Sequence, residues 1–133
     1  MKKFPFEVKK TVSYWVEGAE YDSRVANAML KARKYPDALF MGHLALGKLL
    51  KGFVVKRTRA HEPFSHSLPY LLERSGIKMP EPMKIRLSEF MEFHLQARYP
   101  DASRAFYKKY TKGYTNARLI EIKEAFKWIK SKL

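Results

Sequence analysis

His94 and Arg98 stand four residues apart at the end of a run that reads Phe90-Met91-Glu92-Phe93-His94-Leu95-Gln96-Ala97-Arg98. On a helix that spacing puts both side chains on one face, where they reach one point in space and can line a polar pocket. A guanidinium there would clamp a phosphate. Lys48, Lys51, Lys56, Arg57 and Arg59 form a second group, with no acid between Asp37 and Glu62. In a third, Arg104, Lys108, Lys109 and Lys112 alternate with Phe106, Tyr107, Tyr110 and Tyr114. Cations interleaved with aromatic rings suit single-stranded nucleic acid, since the cations attract phosphates and the rings stack on bases. Each group also has a plainer reading. Arg98 would be half of a structural ion pair with Asp22 or Asp101, because buried charges are generally paired. His94 and His43 would be packing residues on apolar helix faces. The aromatics would close the open end of a helical bundle while the lysines stay solvated. The histidines, with no cysteine and no tight carboxylate pattern beside them, predict no metal site.

These groups belong to a chain of 133 residues with 27 Lys+Arg against 13 Asp+Glu, a net charge of +14, and 46% apolar residues. The length suits one domain over 1–133, and the apolar fraction supplies a real core. A charge of +14 exceeds what solubility calls for and points to an acidic partner. With no cysteine, disulfides, cysteine-based zinc sites, iron–sulfur clusters and thiol catalysis are excluded. The longest apolar runs are a few residues, and Met1-Lys2-Lys3-Phe4-Pro5-Phe6-Glu7 does not read as a leader, so the expectation is a cytoplasmic protein without a membrane span. Asn27, Asn116 and Gln96 are the only amide side chains, a scarcity that hints at a thermophilic source.

The elements that must position these residues are helices. From Thr11 to Lys34, Val12, Trp15, Val16, Ala19, Ala26, Met29 and Leu30 recur at the 3.6-residue period. Tyr35-Pro36-Asp37 interrupts that helix and opens a second, to about Lys56, with Leu39, Phe40, His43, Leu44, Leu46, Gly47, Leu50, Phe53 and Val54 inward. The short connection predicts a near-antiparallel hairpin. Gly47, among large apolar residues, predicts a close helix approach. A loop from Arg57 to Pro63 precedes a short helix from Ser67 to Arg74, with Leu68, Leu71 and Leu72 inward and Gly76 past its end. Pro80-Glu81-Pro82 opens a helix whose face is Met83, Leu87, Phe90, Met91, His94, Leu95 and Arg98, and Pro100 stops it. Thr115 or Asn116 would cap a last helix to about Lys132, with Ile122, Ala125, Phe126, Ile129 and Leu133 as its stripe. Nothing alternates as a strand would. The predicted fold class is all-α, an up-and-down helical bundle of four long helices plus one short helix. Trp128 and the outer aromatics of the last helix would be left uncovered, which predicts a symmetric homodimer.

Three segments carry a resemblance. Leu44-Ala45-Leu46-Gly47-Lys48-Leu49-Leu50-Lys51-Gly52 resembles the second-helix signature of HEPN domains, helical bundles named for occurrence in higher eukaryotes and prokaryotes with nucleotide binding. Ser65-His66-Ser67-Leu68 with Leu71-Leu72 is similar to their His-x-Leu segment, and Ala97-Arg98-Tyr99-Pro100-Asp101 to their Arg-Tyr-Pro-Asp helix end. For stand-alone members the resemblance implies a nucleotide- or RNA-binding module partnered by a separate minimal nucleotidyltransferase subunit, as in a toxin–antitoxin pair, with metal and catalytic carboxylates coming from the partner. On this reading the binding residues are Lys48, Lys51, His66, His94, Arg98, Arg104, Lys108, Lys109 and Tyr110, and the chain itself needs no cofactor, metal or catalytic residue. Two departures matter. Gly47 stands where the family usually has Glu. Family ribonucleases carry an Arg and a His with four to six residues between them near the start of a late helix, and here no His follows His94. Arg59 and His66, with six residues between them, have that spacing, but in a loop. A ribonuclease would therefore need a surrogate such as His94 or Tyr107 beside Arg98. The remaining alternative is a non-catalytic helical adaptor.

Overall fold

Helix boundaries fall where backbone chemistry demands them. The computed structural model describes residues 6–98 and 108–133, the side chains of 95–98 excepted. Helix α1 (Val8–Lys31) stops because Arg33 takes a left-handed φ of 62°, and α2 (Tyr35–Thr58) begins with Pro36 in its first turn, where a missing N–H is harmless. Ser67 Oγ accepts the Tyr70 N–H at 3.3 Å to start α3 (Leu68–Ser75), which Gly76 ends at φ 74°. Helix α4 spans Glu81–Arg98 and α5 spans Lys112–Lys130. The cap of α5 is Thr111, whose hydroxyl accepts the Tyr114 N–H at 3.2 Å. It lies one turn earlier than Thr115 or Asn116, and Thr115 is instead fully buried. Among the described residues all regular structure is helical, and the fold is an all-α bundle.

The bundle is organised around α2, which packs against each of the other four helices. By length and composition α2 would suffice for a membrane crossing, but most of its apolar stretch is covered by the rest of the bundle, so it is a core helix. Leu39, Leu46, Leu49 and Leu50 of α2 join Leu71 of α3, Leu87, Phe90 and Phe93 of α4, and Leu119, Ile122 and Ile129 of α5 in one core cluster. Two expectations for the last helix need correcting. Leu133 is exposed rather than inward, and Trp128 is half-buried against the core with the Lys132 ammonium 4.7 Å above its ring, so it is no open apolar patch. The exposed large apolar residues include Tyr14 and Tyr21 of α1, Phe64 of the α2–α3 loop and Ile85 of α4.

The glycines of α2 also differ from expectation. A Cβ at Gly47 would meet only a Leu68 methyl at 3.8 Å, an ordinary contact, because Gly47 lines a cavity rather than a helix crossing. The close approaches lie elsewhere. A Cβ at Gly42 would come within 3.1 Å of Ile122 and 3.2 Å of Leu119, and one at Gly52 would lie 3.4 Å from Trp15 and 3.6 Å from the Val12 carbonyl. Gly42→Leu should therefore overpack the α2–α5 contact and cost roughly 1–3 kcal/mol. Gly47→Ala should instead stabilise by roughly 0.5–1 kcal/mol, since it only removes backbone entropy from the unfolded chain. Thermal denaturation separates the two; equal losses would contradict this placement.

Candidate functional site

Residues from α2, α4 and the loop before α3 build one cluster of rings. Phe40 and His43 lie one turn apart on α2, His94 comes from α4, and His66 from the loop. The His94 ring stacks on Phe40 at 5.9 Å and on His66 at 5.0 Å, and tilts against His43 at 5.1 Å. His43 is 1% exposed, and its Nε2 lies 3.2 Å from the His66 carbonyl. A carbonyl only accepts, so Nε2 carries the hydrogen and Nδ1 is the unprotonated nitrogen. Burial, with His94 adding to it, lowers the His43 pKa from 6.5 to about 4 and keeps the ring neutral.

Beside this cluster, a cavity of about 160 Å³ opens between α1, α2 and the loop, lined by Trp15, His43, Leu44, Gly47, Lys48, Lys51, Ser65 and His66. Its walls are rings and aliphatic stems, and its charges are two ammonium groups. The Lys48 ammonium sits 2.9 Å from Asp22, which is 3% exposed. Asp22, which breaks the apolar stripe of α1, is thus paired with Lys48. The Lys51 ammonium lies 5.0 Å above the Trp15 ring; burial lowers its pKa, as does Lys48, while Glu62 opposes them. Two lining groups, the Trp15 Nε1–H and His43 Nδ1, are shielded from water and have no hydrogen-bond partner among the described residues. One is a donor and the other an acceptor. Buried polar groups are rarely left this way, but neither atom is open to a water-sized group in the cavity, so a ligand reaches them only if the Trp15 or His43 ring shifts.

The basic and aromatic segment behaves differently. Lys109 is ion-paired with Glu92 of α4, which raises the Lys109 pKa. Tyr110 is 3% exposed, its ring held edge-on between Phe93 and Tyr114 and its hydroxyl 3.4 Å from Glu92. Burial raises its pKa well above the ordinary phenol value. A ring so covered packs the junction of α4 and α5 and offers no face to a base, which corrects the stacking role expected of it. Lys108 is exposed. Arg98 ends α4, one turn beyond His94, but its side chain, Arg104 and Tyr107 lie outside the described residues, as does Asp101. Among the described residues no group of His, Asp and Glu has the arrangement to hold a metal ion.

Lys48, Lys51, His66 and His94 are therefore brought together, and Lys109 and Tyr110 are not part of that place. Trp15 and Ser65 were missed as site residues. Trp15 reads as one more member of an apolar stripe, and only the α1–α2 contact sets it under Lys51.

A model of the HEPN domain matches residues 12–131. Among solved structures, the fold is similar to TT1696 from Thermus thermophilus, with a TM-score of 0.79 and 25% identity, over 92% of this chain and 98% of that one. It is also similar to ST0689, an archaeal HEPN homologue, with a TM-score of 0.70 and 23% identity, over 91% of this chain and 96% of that one, a likeness of fold. No curated protein matches the chain. Since the family match runs from the first turns of α1 to the end of α5, the chain belongs to the HEPN domain family, a family of helical nucleotide- and RNA-related modules.

Proposed function

We propose that this HEPN chain is a cytoplasmic nucleotide- or RNA-binding module, a homodimer that partners a separate minimal nucleotidyltransferase in the manner of a toxin–antitoxin pair. The observation that carries the binding role is the cavity, a largely apolar slot lined by Trp15, with the Lys51 ammonium 5.0 Å from the Trp15 ring. A flat ring suits the cavity, and Lys51 suits the phosphate attached to it. About 160 Å³ admits one ring rather than a whole nucleotide, so the sugar and phosphate would lie outside. The net charge of +14 supplies long-range attraction. The partnership rests on what stand-alone members of the family imply; the partner would bring the metal and the carboxylates.

Gly47→Leu fills the cavity from its floor and should weaken binding of a short single-stranded RNA by roughly 1–3 kcal/mol, the range of one lost stacking contact, measured by fluorescence anisotropy. Lys51→Gln should make the slope of log K against log salt less negative by about 0.7. Unchanged affinity in Gly47→Leu would refute the cavity as the binding place. Co-expression with a minimal nucleotidyltransferase should give one complex on size exclusion, and separate peaks would refute the pairing. A second reading, metal-independent RNA cleavage, rests on His66 stacking on His94, two imidazoles able to serve as base and acid. It requires cleavage in chelator that His94→Ala abolishes.

A further inference from the structure

A concavity lies away from the ring cluster, where the C-terminal ends of α2, α3 and α5 converge. It is an open groove of about 560 Å³, and its charged walls are Lys56, Arg57, Lys78 and Lys132. None of its lining residues is acidic. Some cations elsewhere are matched, Lys48 by Asp22, Arg86 by Glu121 and Glu124, Lys109 by Glu92 and Lys130 by Glu20; what sets the groove apart is that four cations share one concavity whose lining holds no carboxylate. No described carboxylate lies within ion-pair distance of the four groove cations.

Compensation of helix dipoles does not account for them. Each helix C-terminus carries about half a negative charge, so three ends call for roughly one and a half positive charges, well short of four. Arg57 does serve the fold. Its guanidinium donates to the Arg74 carbonyl at 3.5 Å and packs under Gly76, where a Cβ would overlap it. Lys132 is set in place by the Trp128 ring. Lys56 and Lys78 are exposed and have no such structural task.

We infer that this groove is a second binding site, a track for consecutive backbone phosphates of a single-stranded nucleic acid. The inference rests on the nucleic-acid reading above and extends it. Several ammonium groups along an open trough suit a chain of linked phosphates, each releasing condensed counterions as it binds. The track and the ring cavity are then separate contacts, one with phosphates and the other with a base.

The test compares a triple variant, Lys56→Gln/Lys78→Gln/Lys132→Gln, with an equal-charge control, Lys9→Gln/Lys31→Gln/Lys34→Gln, keeping Arg57 because it supports Gly76. Binding of a labelled uridine decamer is titrated across salt concentrations. The groove variant should make the slope of log K against log salt less negative by about 2, with about 0.7 from each lost contact, while the control leaves it nearly unchanged. Gly47→Leu should lower affinity with the slope intact. Equal effects of the groove and control variants would overturn the inference. So would an effect of the groove variant confined to inorganic triphosphate, which would make this a small-anion site, or to phosphatidylserine vesicles, which would make it a membrane contact. If Gly47→Leu weakens RNA binding and the groove variant does not, only the groove falls; the converse removes the cavity and leaves the groove. If the unaltered protein binds no RNA, both fall.

Discussion

Lys48→Met should destabilise the protein by about 3 kcal/mol, and adding Asp22→Asn should recover most of that loss. Asp22 is 3% exposed, with its carboxylate 2.9 Å from the Lys48 ammonium. Removing the ammonium leaves a buried charge with no counterion, which is where the cost of breaking buried pairs arises. The value belongs at the low end of the range for such pairs because the Lys48 side chain keeps 35% of its exposure. The reverse substitution is milder: in Asp22→Asn the lysine turns its ammonium to water along its flexible stem. Urea denaturation of the two single variants and the double checks this asymmetry; equal losses in the singles would contradict it. The pair also ties α1 to α2 at the mouth of the cavity, so Lys48 acts there as a wall and Lys51 as the cation nearer the ring.

His43 should make the fold acid-sensitive over a defined window. Its pKa falls from 6.5 to about 4 in the folded protein. Between those values the unfolded chain binds a proton at this site that the folded chain does not, so stability falls as pH falls. The contribution is complete above pH 6.5 and lost by about pH 4. The difference corresponds to about 3 kcal/mol. His43→Leu is near in volume and cannot protonate, so its stability curve should be flatter by that amount across the window, although it starts lower for loss of the bond to the His66 carbonyl. Denaturation at pH 7, 5.5 and 4 decides this. Parallel curves for the two proteins would show that His43 protonates in place.

The helices were legible because their periodicity and their stops are local properties. Proline at 36, 80 and 82 and glycine at 76 act through φ and a missing N–H, which no distant contact alters. The start of α5 was less legible, since Lys112 and Gly113 weaken the pattern just where Thr111 caps it. Gly42 and Gly47 could not be told apart by pattern. Helix α2 is buried on nearly every side, so it has no single stripe to say which face meets α5 and which meets the cavity. The same limit hid Trp15 under Lys51 and the pairing of Asp22 with Lys48. Each of these depends on how α1 lies on α2, and spacing within one helix carries no information about that. Tyr110 shows the converse: in sequence it is one of several aromatics among cations, and only Glu92 and Phe93 across the chain distinguish it as a packing residue.

In the proposed binding mode a base of a nucleotide or RNA lies against Trp15. Trp15 and Trp128 are the only tryptophans, so Trp128→Phe leaves an emission that reports on the cavity alone. Titrating that protein with a short single-stranded RNA at low salt should quench Trp15 in a saturable way, with the midpoint moving to higher RNA concentration as salt rises. Gly47→Leu in the same background should abolish the quench. A Trp15 emission that stays constant while anisotropy reports bound RNA would contradict the claim, because the RNA would then be held elsewhere on the protein.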